Sequence, residues 1–125
     1  NMQDALDQYF EDEQLVLLET KDGTTVLREN EIVFVETAGR GTTVHTKDHI
    51  YSSVKNMDAW RQELRSRSFY VPHRSYMVNM RFVSFFNNTT IVVKDAAGVE
   101  HTLCMSRRRF SGFREAYLLY SATRM

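Results

Sequence analysis

Three short segments carry the residues most capable of chemistry: Gly39-Arg40-Gly41, Pro72-His73-Arg74-Ser75 and Ser106-Arg107-Arg108-Arg109. Each presents arginine, whose planar guanidinium offers forked donors suited to phosphate oxygens or to the edge of a guanine. The spacing predicts Ser106 as the N-cap of a closing helix, with the three arginines in its first turn. Cations there oppose the helix dipole at a cost of a few tenths of a kcal/mol each. An anion docked on the free N–H groups and the guanidinium forks would reverse that balance, and phosphate is the natural candidate. The alternative is a solvated basic turn paired with the acidic N-terminal segment. Flanking glycines allow Arg40 to approach a surface closely, although a loop arginine is often simply solvated. Pro72 interrupts regular strand pairing and exposes its neighbours. Arg74 is then expected outside, whereas His73 either hydrogen-bonds in the core or joins it.

Other chemistries have less support. His45 and His49 are four residues apart, but they straddle a predicted hairpin turn and lie on no helix face. No cysteine pair or acidic cluster completes a metal site with them. Cys104 lies in a strand pattern between Leu103 and Met105 and is read as a buried, inert thiol. There is no phosphate-cradling glycine loop and no nucleophile elbow. The expectation is a protein that is not an enzyme and that takes no cofactor and no metal.

The formal charge of zero conceals a division. Residues 1–37 contain ten acids and two bases, and residues 38–125 contain fourteen bases and six acids. Such a dipolar chain can offer a basic face to a polyanion while its net charge stays null. A hydrophobic fraction of 42% over 125 residues supports one packed domain. No apolar run nears the roughly 18 residues of a membrane span, and nothing at the start resembles a signal peptide. With a single cysteine no internal disulfide can form, so a reducing, cytoplasmic setting is expected.

The elements that must hold these segments are mostly strands. Met2, Ala5, Leu6, Tyr9 and Phe10 fall at helical spacing, so residues 1–19 are read as a linker or N-terminal helical extension. From Thr24 the period becomes two. Thr25–Leu27 and Ile32–Glu36 are predicted strands, and Thr42–Thr46 with Ile50–Ser53 a hairpin. Residues 56–65 read as a helix capped by Asn56. Strand pattern resumes at Phe69, and from Tyr76 to Phe82 the alternation is clean. Strands over Ile91–Val93 and Val99–Met105 follow, then a helix from about Arg107 to Tyr120. Many short strands and a late helix argue for a mainly β domain.

The segment from Phe69 to Met80 resembles the signature of the LytTR family, in which an aromatic approach leads into His-Arg-Ser-aromatic-x-Val-Asn. The match falls on His73-Arg74-Ser75-Tyr76-Met77-Val78-Asn79. Ile32–Glu36 with its small-residue loop is similar to the family's early strand and loop, and Ser106-Arg107-Arg108 to its late Ser-Arg-Arg element. The resemblance covers roughly residues 20–120, so 20–125 is taken as a LytTR-like domain. It implies an elongated stack of small antiparallel sheets with short helices, binding double-stranded DNA through loops that enter the major groove. It further implies base contacts at Arg40, Arg74 and Arg108, and backbone contacts at Thr42, Thr43, His73, Ser106 and Arg107. Asn79 would be structural. Two departures stand out: Val71 occupies a position where many members carry arginine, and the early loop varies, which leaves the match of Arg40 open by a residue or two. The implied role is the output domain of a bacterial transcription regulator, dimeric on repeated half-sites, with an upstream receiver or sensor domain. The alternative is an interaction module that docks an acidic protein partner.

Overall fold

The computed structural model describes residues 1–6, 14–64, 66 and 68–124. Among the described residues, ten strands make three antiparallel sheets. Strands β1 (Leu15–Thr20) and β2 (Gly23–Arg28) form a hairpin. A five-stranded sheet is built from β3 (Ile32–Ala38), β4 (Gly41–Thr46), β5 (Ile50–Ser53), β6 (Phe69–His73) and β7 (Tyr76–Asn79), in the order β5-β4-β3-β7-β6. The third sheet, ordered β10-β9-β8, contains β8 (Val83–Phe86), β9 (Thr90–Lys94) and β10 (Glu100–Cys104). The helices α1 (Met57–Glu63) and α2 (Arg107–Arg124) pack onto these sheets. None of the described helices is long and apolar enough to cross a membrane.

The five-stranded sheet is the middle layer, with a core on each side. Val16, Leu18 and Leu27 of the hairpin and Met57 and Trp60 of α1 pack with Ile32, Val35, Val44 and Met77. On the opposite side Val33, Phe34, Val78 and Met80 meet Ile91, Val93, Leu103 and Phe113. A register shift in β3 between Ile32 and Phe34 lets the consecutive residues Val33 and Phe34 serve one core. An extra residue in one strand changes which face its neighbours occupy. Phe113 anchors α2: it is fully buried and meets Phe86 edge-on at 5.0 Å and Tyr70 at 5.6 Å. Burying a phenylalanine side chain contributes about 1.5–3 kcal/mol. Phe110, Ala116, Tyr117 and Tyr120 of the same helix pack against the same core, partly buried.

Several elements differ from what local pattern predicts. Strand β1 lies where no strand is expected, and Val16 and Leu18 enter the core through it. The alternation from Tyr76 to Phe82 is not one strand. It ends at Asn79, whose buried side chain donates to the Ile32 carbonyl at 2.9 Å and accepts from the Arg81 N–H at 3.1 Å. That second bond caps a single 3-10 turn over Met80–Phe82, which sends β8 into another sheet. Asn79 is thus structural. Cys104 is exposed, not buried, because β10 alternates and puts Leu103 and Met105 inward. Residues 2–6 are helical with Met2, Ala5 and Leu6 exposed, while Tyr9 and Phe10 lie outside the described residues.

Two histidines join the middle sheet to the three-stranded one. The His45 ring stacks on Phe34 at 3.9 Å and lies 5.8 Å from the His101 ring, which approaches Asp95 at 3.7 Å. Burial holds the His45 pKa below the ordinary 6.5, opposed by the Glu36 carboxylate and reinforced by His101. The unfolded chain therefore takes up this proton more readily than the folded one. The resulting stability is present above the unfolded pKa of 6.5 and is lost as the pH falls from there through the folded value. Urea midpoints measured at neutral pH and one to two pH units lower should fall for the wild type, and fall less for His45→Gln. Equal falls would exclude His45 as the source. Among the described residues no group of His, Cys, Asp or Glu is placed to hold a metal ion.

Candidate nucleic-acid interface

The three arginine segments occupy one end of the middle sheet. Ala38 pairs with Gly41, which leaves Gly39-Arg40 as a two-residue turn between β3 and β4. Gly39 has φ +60°, as the first central residue of a type II′ hairpin turn requires. His73 pairs with Tyr76, so Arg74-Ser75 is a second two-residue turn, between β6 and β7. Because β3 and β7 are neighbours and Glu36 pairs with Tyr76, the two turns project side by side. A hydrogen bond from the Thr37 N–H to the Ser75 carbonyl, 2.9 Å, ties one to the other.

The start of α2 joins them through β6. The Ser106 N–H donates to the Pro72 carbonyl at 2.9 Å, and the Arg109 guanidinium to the Val71 carbonyl at 3.3 Å. Arg109 is consequently half-buried and acts as a latch between helix and strand. Arg107 and Arg108 point outward and are exposed, as are Arg40 and Arg74. The ion pairs Asn1–Asp4, Lys55–Glu63 and His101–Asp95 use none of these four arginines. Four guanidinium groups and the free N–H groups of a helix N-terminus thus share one exposed edge, a concentration of positive potential suited to a polyanion.

Behind the Arg74 turn lies a polar cluster. The His73 Nδ1 accepts the Ser75 N–H at 3.1 Å, and its ring lies 5.6 Å from that of Tyr76. Tyr76 pairs across the strands with Glu36; burial first, and that carboxylate second, push its phenol above the usual tyrosine pKa. It is therefore neutral throughout the ordinary pH range. Thr43 and Ser106 are half-buried at this edge and keep partial access to solvent.

Thr42 is different, and its expected contact with a DNA backbone is not compatible with its place in the fold. It is 2% exposed. Its hydroxyl donates to the Lys55 carbonyl at 2.8 Å and accepts the Trp60 indole N–H at 2.8 Å. Strand alternation explains this: Thr42 and Val44 face the core, while Thr43 faces the other way. Thr42→Val keeps the volume but leaves a buried indole donor unpaired, at a cost of about 1–3 kcal/mol. Urea unfolding should show that loss, with the salt dependence of nucleic-acid binding unchanged. A lower salt slope at wild-type stability would return Thr42 to the interface.

Sequence reading did not foresee the Arg109 latch, since nothing in a run of three arginines says which one turns back, whereas His73 takes the hydrogen-bonding course expected of it as one alternative. The fold and this edge define a mainly β domain whose turns and helix terminus are built to meet a polyanion. The model of the LytTr DNA-binding domain matches residues 22–118, and the chain belongs to this LytTR family. It is similar to the sensory transduction protein LytT of Oceanobacillus iheyensis, with 32% identity over 73% of this chain and 39% of the relative. The transcriptional regulatory protein NatR of Bacillus subtilis is 27% identical over 60% of this chain and 32% of its own length. LytR of Staphylococcus aureus is 27% identical over 65% and 35%. The chain thus spans about a third of the curated relatives it matches. Among solved structures, a LytTr DNA-binding domain of a putative methyl-accepting/DNA response regulator from Bacillus cereus superposes with a TM-score of 0.68. That match has 20% identity and covers 83% of this chain and 96% of the other, so the two share a fold.

Proposed function

We propose that this domain reads double-stranded DNA as the output module of a transcription regulator of the response-regulator kind. The observation that carries the assignment of the interface is the convergence of two hairpin turns and one helix start, from distant parts of the sequence, on a single exposed basic edge. Arg40, Arg74 and Arg108 are assigned to base edges in the major groove. Arg107, His73, Ser106 and Thr43 are assigned to phosphates, which fix register without reading sequence. Two copies on repeated half-sites would lengthen the sequence read. The relatives, called transcriptional regulatory or sensory transduction proteins, are roughly three times as long as the match, which accommodates a receiver or sensor domain. A cytoplasmic location goes with that role.

Selection of bound duplexes from a random pool tests DNA binding and reports the site together. A defined motif is the expected outcome. Affinity for it should then fall with ionic strength by about 0.9 in log K per log unit of salt for each phosphate contact. Enrichment of no motif, with retention of an acidic peptide at the same salt, would instead favour an acidic protein partner.

A further inference from the structure

The His73 imidazole is directed at its own turn. We propose that His73 closes the Arg74 turn through Nδ1 and therefore meets DNA as a neutral ring with its proton on Nε2. This rests on the functional reading above only for what the outer nitrogen meets; the tautomer itself follows from the geometry.

The bond from the Ser75 N–H to Nδ1 needs a lone pair on that nitrogen. In a neutral imidazole the proton then sits on Nε2, because the hydrogen bond made by one nitrogen fixes the state of the other. The arrangement is that of an Asx turn, in which a side-chain acceptor takes the N–H two residues on and pins the chain between. Here the residue pinned is Arg74. The other side of the same peptide unit pair is also fixed, since the Ser75 carbonyl accepts the Thr37 N–H. His73 is thus a positioning residue for Arg74 as well as a donor through Nε2.

A second proton on the ring occupies Nδ1 and turns an acceptor into a donor that faces the Ser75 N–H. The turn bond is lost even as the ring gains a charge attractive to phosphate. The groups around the ring do not oppose this loss. Tyr76 on β7 is neutral and lies opposite Glu36 on β3, Cys104 on β10 lies near that tyrosine, and the Arg109 guanidinium is bonded to Val71. Arg74, on the turn itself, is a cation. Acidification should therefore weaken specific binding, the opposite of what a histidine acting as a simple phosphate cation would do.

Two substitutions separate the roles. His73→Asn retains an acceptor at the Nδ1 position and cannot titrate; His73→Gln retains a donor at the Nε2 position and lacks the turn acceptor. Affinity for the selected duplex is measured for the wild type and His73→Asn from about pH 7.5 to about pH 5.5. The ratio of the wild-type Kd to that of His73→Asn should rise roughly 3- to 10-fold over the interval, the equivalent of one neutral hydrogen bond. A flat or falling ratio overturns the proposal. The free domain supplies an independent reading: nitrogen shifts at neutral pH should show the proton on Nε2, and the Ser75 amide should move with ring protonation in the wild type only. A proton on Nδ1 overturns the proposal whatever DNA does. At neutral pH His73→Asn should leave the Ser75 amide near its wild-type shift while His73→Gln displaces it; the reverse order also overturns it. Failure of the wild type to bind any duplex would defeat the functional reading instead, and the tautomer of the free domain shows which of the two has failed.

Discussion

Arg108→Ala should lower affinity for the selected duplex by roughly 5- to 150-fold and abolish preference at one base-pair position. The range corresponds to the 1–3 kcal/mol by which a bidentate arginine–guanine contact discriminates. The loss should appear as lost sequence preference, not only as weaker binding, which sets it apart from the effect of removing a phosphate contact. Stability should be unaffected, since Arg108 is exposed and enters no ion pair among the described residues. Arg109→Ala is the informative contrast. Its guanidinium bonds the Val71 carbonyl, so its removal should cost about 0.5–1.5 kcal/mol of stability and spare the preference. If Arg108→Ala binds with the wild-type affinity and base preference, the base edge is read by another residue.

Gly41→Ala should be the most damaging small substitution near the interface. A Cβ at this position collides with the Ser53 carbonyl oxygen, with the Ser53 carbonyl carbon 3.2 Å and the Val54 Cα 3.4 Å away. These are backbone atoms of a paired strand and cannot swing aside. Overpacking of this kind typically costs about 1–3 kcal/mol, and about 2 kcal/mol or more is expected because the obstacle is main chain. The damage would not stay local. Gly41 ends the turn that carries Arg40 and begins the strand in which Thr42 pairs with Ser53. A displaced β4 start moves Arg40 relative to Arg74 on the neighbouring turn. Both the urea midpoint and the affinity for the selected duplex should therefore fall, the latter even at temperatures where the variant is fully folded. A variant with wild-type stability would show that β5 yields there, and would remove the argument that Gly41 positions Arg40.

Much of the fold is legible in local pattern because its signals are local. Alternation at Ile32–Glu36, Thr42–Thr46 and Ile91–Val93 marks strands whose faces are filled by β-branched and aromatic residues. Asn56 is found as the cap of α1, where its side chain accepts the Ala59 N–H at 2.9 Å. Strand β1 escaped because Leu15, Val16, Leu17 and Leu18 form a continuous apolar run with no visible period. Only pairing with β2 decides that Val16 and Leu18 face in while Leu15 and Leu17 face out. The break at Asn79 escaped for the opposite reason, since the alternation continues unchanged through a 3-10 turn.

By itself the sequence determined the family, the mainly β class, the division of charge and the three segments that carry exposed arginine. These properties reside in residue type and short spacing, which survive without knowledge of any distant contact. The tertiary structure decided which members of each segment are available. It turned Arg109 back to Val71, sank Thr42 beneath Trp60, bent His73 onto the Ser75 N–H and left Cys104 outside. Which way a side chain faces depends on strand register, bulges and the partner strand, and those are set by residues far away in the chain. The same pairings bring the turns at Arg40 and Arg74 and the helix start at Arg107 to one edge.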